Sequence, residues 1–328
     1  MNELSYQQVF DVEAAVAALA AEDHPLLLAG GTSVVDYMRV GVFTPRTLID
    51  INALPPTDIR ASERELELGG LARMSDVAAH PDVRTFAPVV SQALELSASA
   101  QLRNMASLAG NLMQPTRCPY FREDGFACNK RRPGTGCAAL EGVNRTHAIL
   151  GGSEHCVATH PSDFAVALAA LDARVHLYGP DGVRDVPIAN LYRLPGNTPH
   201  IENDLQPGEL ITTISANLPL GSATSHYLKV RERASYEFAV VSVAAVVAAR
   251  DHTITDARIA FGGIGTVPWR DLEAELALEG VDIRDGDAVR AAADAALAKA
   301  RPLRHNGFKI ELGRRALVRA VQTAGRVP

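Results

Sequence analysis

Apolar positions recur at helical spacing near the start of the chain, where Val12, Ala15, Val16 and Leu19 form one stripe and Asp11 is placed to cap it. Pro25 to Ala29 is a short apolar run that reads as a strand. It enters a Gly-Gly turn, then a helical pattern from Val34 to Val40 and a second strand from Thr47 to Ile51, which together predict a small β/α unit. From about Leu66 short strands and helices mix. Helices are expected from Ser75 to His80 and from Val89 to Ser99, with a turn region from Asn104 to Asn111. Gln114 to Thr146 is rich in Pro, Gly, Cys and Arg and has no period, and a long irregular stretch inside a compact domain points to a functional loop. Beyond it, Asp163 to Asp172 reads as a helix, Arg174 to Tyr178 as a strand, Pro195 to Gly208 as a polar loop and Glu209 to Leu218 as a strand. The pattern changes again near Gly221. Tyr227 to Val230, Phe238 to Ala249 and Asp256 to Gly262 predict three strands, the last two joined by a turn at Asp251-His252. Helices follow over Asp271 to Leu278, Asp287 to Ala300 and Ile310 to Thr323, so this last third is expected to be a small α+β domain.

Composition narrows the function classes. A chain of 328 residues with a formal net charge of −6 has no electrostatic footprint for nucleic acid. The longest apolar run, Phe238 to Ala249 with Ser242 inside it, is far shorter than the roughly 20 residues of a membrane span. The first residues have no basic segment leading into an apolar one, so no secretory signal is read. Taken alone the sequence implies a cytoplasmic chain, and a periplasmic location would require co-export with a signal-bearing partner.

Three turns carry candidate binding chemistry. Leu28-Ala29-Gly30-Gly31-Thr32-Ser33-Val34 joins a strand to a helix through glycines and small hydroxyls, which suits close approach to a diphosphate. It has neither the lysine of a Walker loop nor the Gly-x-Gly-x-x-Gly of a dinucleotide fingerprint. Ala106 to Asn111 offers similar chemistry, and Thr159-His160-Pro161-Ser162-Asp163 sets hydroxyls and a carboxylate before a helix, where Asp163 could serve as N-cap. Together they suggest one divided site.

The four cysteines, Cys118, Cys128, Cys137 and Cys156, have the spacing C-x9-C-x8-C-x18-C and fall in one part of the chain. Their clustering favours a metal centre. A zinc site is a second reading, although Cys-x2-Cys knuckles are missing, and two disulfides are a third. Arg117, Arg122, Lys130, Arg131 and Arg132 surround the ligands in sequence and are expected to lower thiol pKa values, or else to form a solvated face. His147, His155 and His160 are expected to make ordinary hydrogen bonds.

In order along the chain, Leu-Leu-Ala-Gly-Gly-Thr-Ser, Ala106 to Asn111, Pro161-Ser162-Asp163, Lys229 in Tyr-Leu-Lys-Val, and Phe261 to Arg270 resemble the FAD-binding subunit of the xanthine dehydrogenase and carbon monoxide dehydrogenase family. The resemblance implies an α+β fold, with a two-lobed FAD-binding domain of the vanillyl-alcohol-oxidase/PCMH type over 1–220 (lobes about 1–55 and 56–220, insert about 114–157) and a C-terminal domain with a three-stranded sheet over 221–328. It implies that Leu28, Ala29, Gly30, Gly31, Thr32, Ser33 and Val34, with Ser107, Gly110 and Asn111, wrap FAD. Asp163 would then bind a polar group of the cofactor, Lys229 would lie near the flavin ring and Ile211 would pack on it. Ala109 stands where relatives often have glycine, which is tolerable at negative φ. The cysteine insert resembles the aldehyde-oxidoreductase branch and, more distantly, 4-hydroxybenzoyl-CoA reductase, which implies that Cys118, Cys128, Cys137 and Cys156 hold a [4Fe–4S] cluster. The same resemblance implies a heterotrimer with a large molybdenum-cofactor subunit and a small subunit carrying two [2Fe–2S] clusters. Substrate would be oxidised in the large subunit, and electrons would leave through FAD here to an external acceptor. The rival readings are the flavin subunit of an aryl-CoA reductase and a zinc-stabilised scaffold without redox chemistry. Because the motifs are separate in sequence, Cys128→Ser is expected to remove iron and leave FAD bound.

Overall fold

The computed structural model describes residues 4–55, 58–219 and 223–325. The expected domain boundary at 220/221, the expected start of the second lobe at 56 and residues 1–3 of the opening stretch lie outside the described residues.

The first lobe is a parallel sheet in which Thr47–Asp50 lies between Ser5–Gln8 and Pro25–Leu28. Its central strand is buried along its whole length, as parallel sheets require. Helix Val12–Ala21 lays Ala15, Val16 and Ala18 against this sheet, and Asp11 caps it by accepting from Ala14 N at 2.7 Å. The edge strand Ser5–Gln8 carries no apolar alternation and is exposed throughout, which is why periodicity misses it.

In the second lobe five antiparallel strands run in the spatial order Ile59–Ala61, Glu65–Gly69, Leu210–Asn217, Arg174–Gly179, Gly182–Pro187. Helices Pro88–Glu95 and Asp163–Ala170 fill the core against it, and every residue of the second helix is buried. The two outermost strands escape sequence analysis because they are short, solvated edges. The expected turn at Asn104 to Asn111 is instead the end of helix Ala100–Met105 followed by helix Leu108–Leu112. Each is started by a serine: Ser99 accepts from Leu102 N at 3.3 Å and Ser107 from Gly110 N at 3.1 Å.

The C-terminal sheet has strands Thr224–Val230, Val241–Arg250 and Thr253–Gly262, with a two-residue edge strand Trp269–Arg270 added to the three expected. Both of its faces are covered. Ala244, Val246, Tyr227 and Ala260 pack into the core of the second lobe, while Val243, Ala245 and Val247 pack with helices Gly286–Leu297 and Phe308–Ala324. Burial on both sides explains why Val241 to Val247 reads as an apolar run interrupted only by Ser242. Asp251 and His252 turn the hairpin with φ of 50° and 69°, the left-handed pair that a tight hairpin needs. No helix among the described residues is long and apolar enough to cross a membrane.

Phe164 is 0% exposed and joins helix Asp163–Ala170 to this shared core. Phe164→Ala is expected to cost about 3–5 kcal/mol, measurable as a lower urea midpoint with an unchanged transition slope.

Candidate functional site

The first glycine loop touches the second through bare backbone. A Cβ on Gly30 would lie 1.8 Å from the Met105 carbonyl oxygen, so only glycine permits the contact. Two residues that sequence reasoning did not single out hold it. Asn52 Nδ2 donates to the Ala29 carbonyl at 2.8 Å, while Arg73 donates from Nη2 to Asn52 Oδ1 at 2.8 Å and from Nη1 to Met105 O at 2.6 Å. Among the described residues no backbone carbonyl accepts from the N–H groups of Gly30, Gly31, Thr32 or Ser33, and the Ser33 hydroxyl makes no cap hydrogen bond. A run of unspent donors of this kind is an anion cradle.

The second loop is built differently from the expectation. The amides of Leu108, Ala109 and Gly110 are satisfied by Ala72 O, Gly70 O and the Ser107 hydroxyl, so this segment presents a packed wall rather than open donors. Ala109 sits inside a helix, away from positive φ, which resolves its departure from glycine. Asn111 Oδ1 accepts from Ser162 Oγ at 2.6 Å and ties this wall to the third turn. There Ser162, not Asp163, is the N-cap, accepting from Ala165 N at 3.0 Å.

The Asp163 carboxylate is thereby free to point inward. It accepts from Lys229 Nζ at 2.7 Å and Ser97 Oγ at 3.0 Å on Oδ2, and from the Tyr227 hydroxyl at 2.7 Å on Oδ1. Ser242 Oγ lies 2.9 Å from the same phenol oxygen. The Lys229 and Asp163 side chains are 1% and 5% exposed, so this is a buried ion pair between the second lobe and the C-terminal sheet. Burial, then Asp163, pushes the Tyr227 hydroxyl pKa well up, which keeps it a donor.

A cleft of about 480 Å³ runs between these parts, within the roughly 300–1,000 Å³ usual for cofactor sites. Thr32, Ser33, Gly110, Asn111, Asp163 and Lys229 line it. Leu28, Ala29, Gly30, Gly31, Val34 and Ser107 are not among the residues that line it. Ile211 is 4% exposed in the core, with its carbonyl pressed against Gly70, and does not reach the cleft. Arg117, Arg122 and Arg233 add positive charge to the lining.

All four cysteines face one small cavity next to this cleft. Cys128 and Cys137 are bridged side by side by a turn in which Gly136 has φ of 99° and Asn129 N donates to Gly136 O at 2.7 Å. Asn129 Nδ2 reaches His155 O at 3.1 Å and brings Cys156 to the pair. Backbone N–H groups of Tyr120 and Phe121 serve Cys118, and that of Ala158 serves Cys156. The thiols are unpaired. Among the described residues no three His, Cys, Asp or Glu side chains meet at a point that one metal ion could occupy.

The nearby cations do not bring down the Cys118 and Cys156 thiols as expected. Burial pushes Cys118 up to about 12 and raises Cys156, where Lys130 only partly opposes it. The cations are engaged elsewhere. Lys130 pairs with Glu202 at 2.6 Å, and Arg131 donates to the carbonyls of Tyr120, Phe121 and Asp124. Arg117 and Arg122 bind Asp36 at 2.9 and 2.6 Å. Asp36 follows the first glycine loop, and the Arg122 hydrogen bond holds its carboxyl below the usual range. Tyr37 beside it packs with Phe121 and Cys128 and lies within 5.3 Å of the Arg117 guanidinium. The cysteine insert thus braces the first loop directly, so motifs far apart in sequence are joined in space.

A cleft with free backbone donors at one end and a buried ion pair at the other has the size and chemistry of a cofactor site. The family model for the FAD binding domain in molybdopterin dehydrogenase matches residues 2–221, and that for the CO dehydrogenase flavoprotein C-terminal domain matches residues 226–324. The chain belongs to the FAD-binding subunits of the molybdenum hydroxylases. It is 45% identical over 314 residues, 94% of this chain and 95% of the relative, to the aldehyde oxidoreductase FAD-binding subunit PaoB of Escherichia coli (strain K12). It is 25% identical to the glyceraldehyde dehydrogenase medium chain of Sulfolobus acidocaldarius, over 86% of this chain and 83% of that one. The fold is shared with carbon monoxide dehydrogenase from Hydrogenophaga pseudoflava, at a TM-score of 0.76 and 24% identity, covering 99% of this chain and 98% of that one.

Gly30→Ala is expected to separate the two loops and weaken FAD binding by roughly tenfold or more, the equivalent of about 1.4 kcal/mol, read by fluorescence titration of the apoprotein. Lys229→Met, which strands a buried carboxylate, is expected to cost about 3–5 kcal/mol in denaturant unfolding. A loss in the double variant with Asp163→Asn equal to the sum of the two single-variant losses would argue against coupling of the pair.

Proposed function

We propose that this chain is the flavin-bearing electron-relay subunit of an aldehyde-oxidising molybdenum hydroxylase, and that Cys118, Cys128, Cys137 and Cys156 ligate a [4Fe–4S] cluster. The observation that carries the second part is the single cavity lined by all four unpaired cysteines beside the flavin cleft. The aldehyde assignment is supported by the 45% likeness to an aldehyde oxidoreductase subunit across nearly the whole of both chains. The same likeness favours neither the aryl-CoA reductase nor the scaffold reading.

FAD exchanges electrons in pairs or singly, and one-electron iron–sulfur carriers make a junction of that kind useful. The chain's own part is to hold and orient it. The free amides from Gly30 to Ser33, with the Thr32 and Ser33 hydroxyls, are assigned to the diphosphate, and the Gly110–Asn111 wall to the flank of the cofactor. The Asp163–Lys229 pair offers a fixed polar end to the cleft. Ser107, Leu28, Ala29 and Val34 act through the backbone shape they maintain, and Ile211 through the packing of the layer behind. A large molybdenum-cofactor subunit and a small [2Fe–2S] subunit complete the proposed complex, with substrate oxidised outside this chain and electrons leaving to an external acceptor.

Anaerobic purification followed by flavin and metal analysis tests the reading. About four irons per chain are expected alongside FAD. Cys128→Ser is expected to lose that iron and, through the Asp36 brace, to hold FAD less tightly as well. A colourless, zinc-containing protein would sink the redox assignment, and an FAD protein whose iron is unaffected by Cys128→Ser would sink the ligand assignment.

A further inference from the structure

We infer that His147 tunes the cysteine-bound centre by donating its Nε2–H to the sulfur of Cys118, and that Lys309 positions it to do so. This inference rests on the iron–sulfur reading above.

The imidazole Nε2 lies 3.1 Å from Cys118 Sγ, and His147 is 2% exposed. Its other nitrogen, Nδ1, is buried without a hydrogen-bond partner. That asymmetry selects the tautomer. A proton on Nδ1 would bury an unpaired N–H, which folded proteins rarely tolerate. A proton on Nε2 has a sulfur acceptor and leaves only an unused lone pair. Cys118 then receives a side-chain donor in addition to the amides of Tyr120 and Phe121, whereas Cys156 receives the amide of Ala158. N–H groups aimed at a cluster thiolate draw charge off the sulfur and stabilise the more reduced, more negative state.

The imidazole has little freedom to leave this position. His147 N donates to Asn144 O at 3.1 Å, and Asn306 Nδ2 donates to His147 O at 3.1 Å. Lys309, 0% exposed, spends its ammonium protons on Thr146 O, His147 O and Gly263 O at 3.0, 3.0 and 2.7 Å. A buried ammonium whose partners among the described residues are carbonyls is costly to keep, and here it fixes the backbone on which the imidazole stands. Cys118 also lines a second cavity of about 290 Å³, whose wall continues through His147 to Asp163 and Phe238 of the cleft, while Cys156 lines another that shares Gln114 and Pro161 with it. The donor therefore acts on one of the two cysteines that border cavities continuous with the cleft lining.

The test is a redox titration of the full chain, purified anaerobically, following the iron–sulfur signal by electron paramagnetic resonance and the flavin by absorbance. His147→Leu removes the donor and His147→Gln keeps an N–H. The expected result is a negative shift of the iron–sulfur midpoint in His147→Leu with iron content and the flavin couple unchanged, and recovery toward the parent value in His147→Gln. Lys309→Met is expected to shift the midpoint in the same direction. An unmoved midpoint in His147→Leu at full iron content would overturn the inference. Loss of iron in His147→Leu would also overturn it, by making His147 a ligand rather than a donor. A parent protein without iron would overturn the cluster reading itself, before any variant is compared.

Discussion

The architecture depends on one buried ion pair. Asp163 begins a helix whose eight residues are all buried, and its carboxylate can sit there only because Lys229 reaches it from the C-terminal sheet. Burial makes the pair strict about geometry, since either charge alone would be stranded. Ser97 and Tyr227 complete the carboxylate's shell, so the helix, the loop before it and the sheet are held at one point. The far end of the flavin cleft is the visible face of that arrangement.

The cleft's other end rests on shape. Gly30 against Met105 leaves no volume for a side chain, and the Asn52–Arg73 bridge keeps the two backbones in register. The charges here are exposed and the contacts polar, so this end relies on fit and hydrogen bonding more than on apolar burial. The amides from Gly30 to Ser33 remain without a backbone acceptor among the described residues.

Much of this was legible in the residues. Helical stripes and apolar runs marked the buried elements, and the doubly covered strand Val241–Arg250 announced itself as an apolar run broken before its end only by Ser242. Edge strands such as Ser5–Gln8 and Gly182–Pro187 stayed hidden because they are mostly solvated, Val186 being the one buried residue on the two. The glycine loops and cysteines were visible by type and spacing. Asn52, Arg73 and Asp36 were not, because a polar residue at a loop edge has no local signature and gains its meaning from partners distant in sequence. The basic residues of the insert misled for the same reason: charge near a cysteine in sequence says nothing of where a long side chain will reach. Arg117 and Arg122 reach away, to Asp36.

That last contact orders events in the life of the chain. During synthesis Asp36 emerges well before Arg117 and Arg122, and Lys229 follows only after the whole insert has been made. Domains tend to fold as they leave the ribosome, N-terminal parts first. Here the first glycine loop must wait without its brace, and the cleft without its far wall, until the strand Thr224–Val230 is available. A cleft lined by both Thr32 and Lys229 is therefore complete only in chains whose cysteine insert and C-terminal sheet have already taken their places.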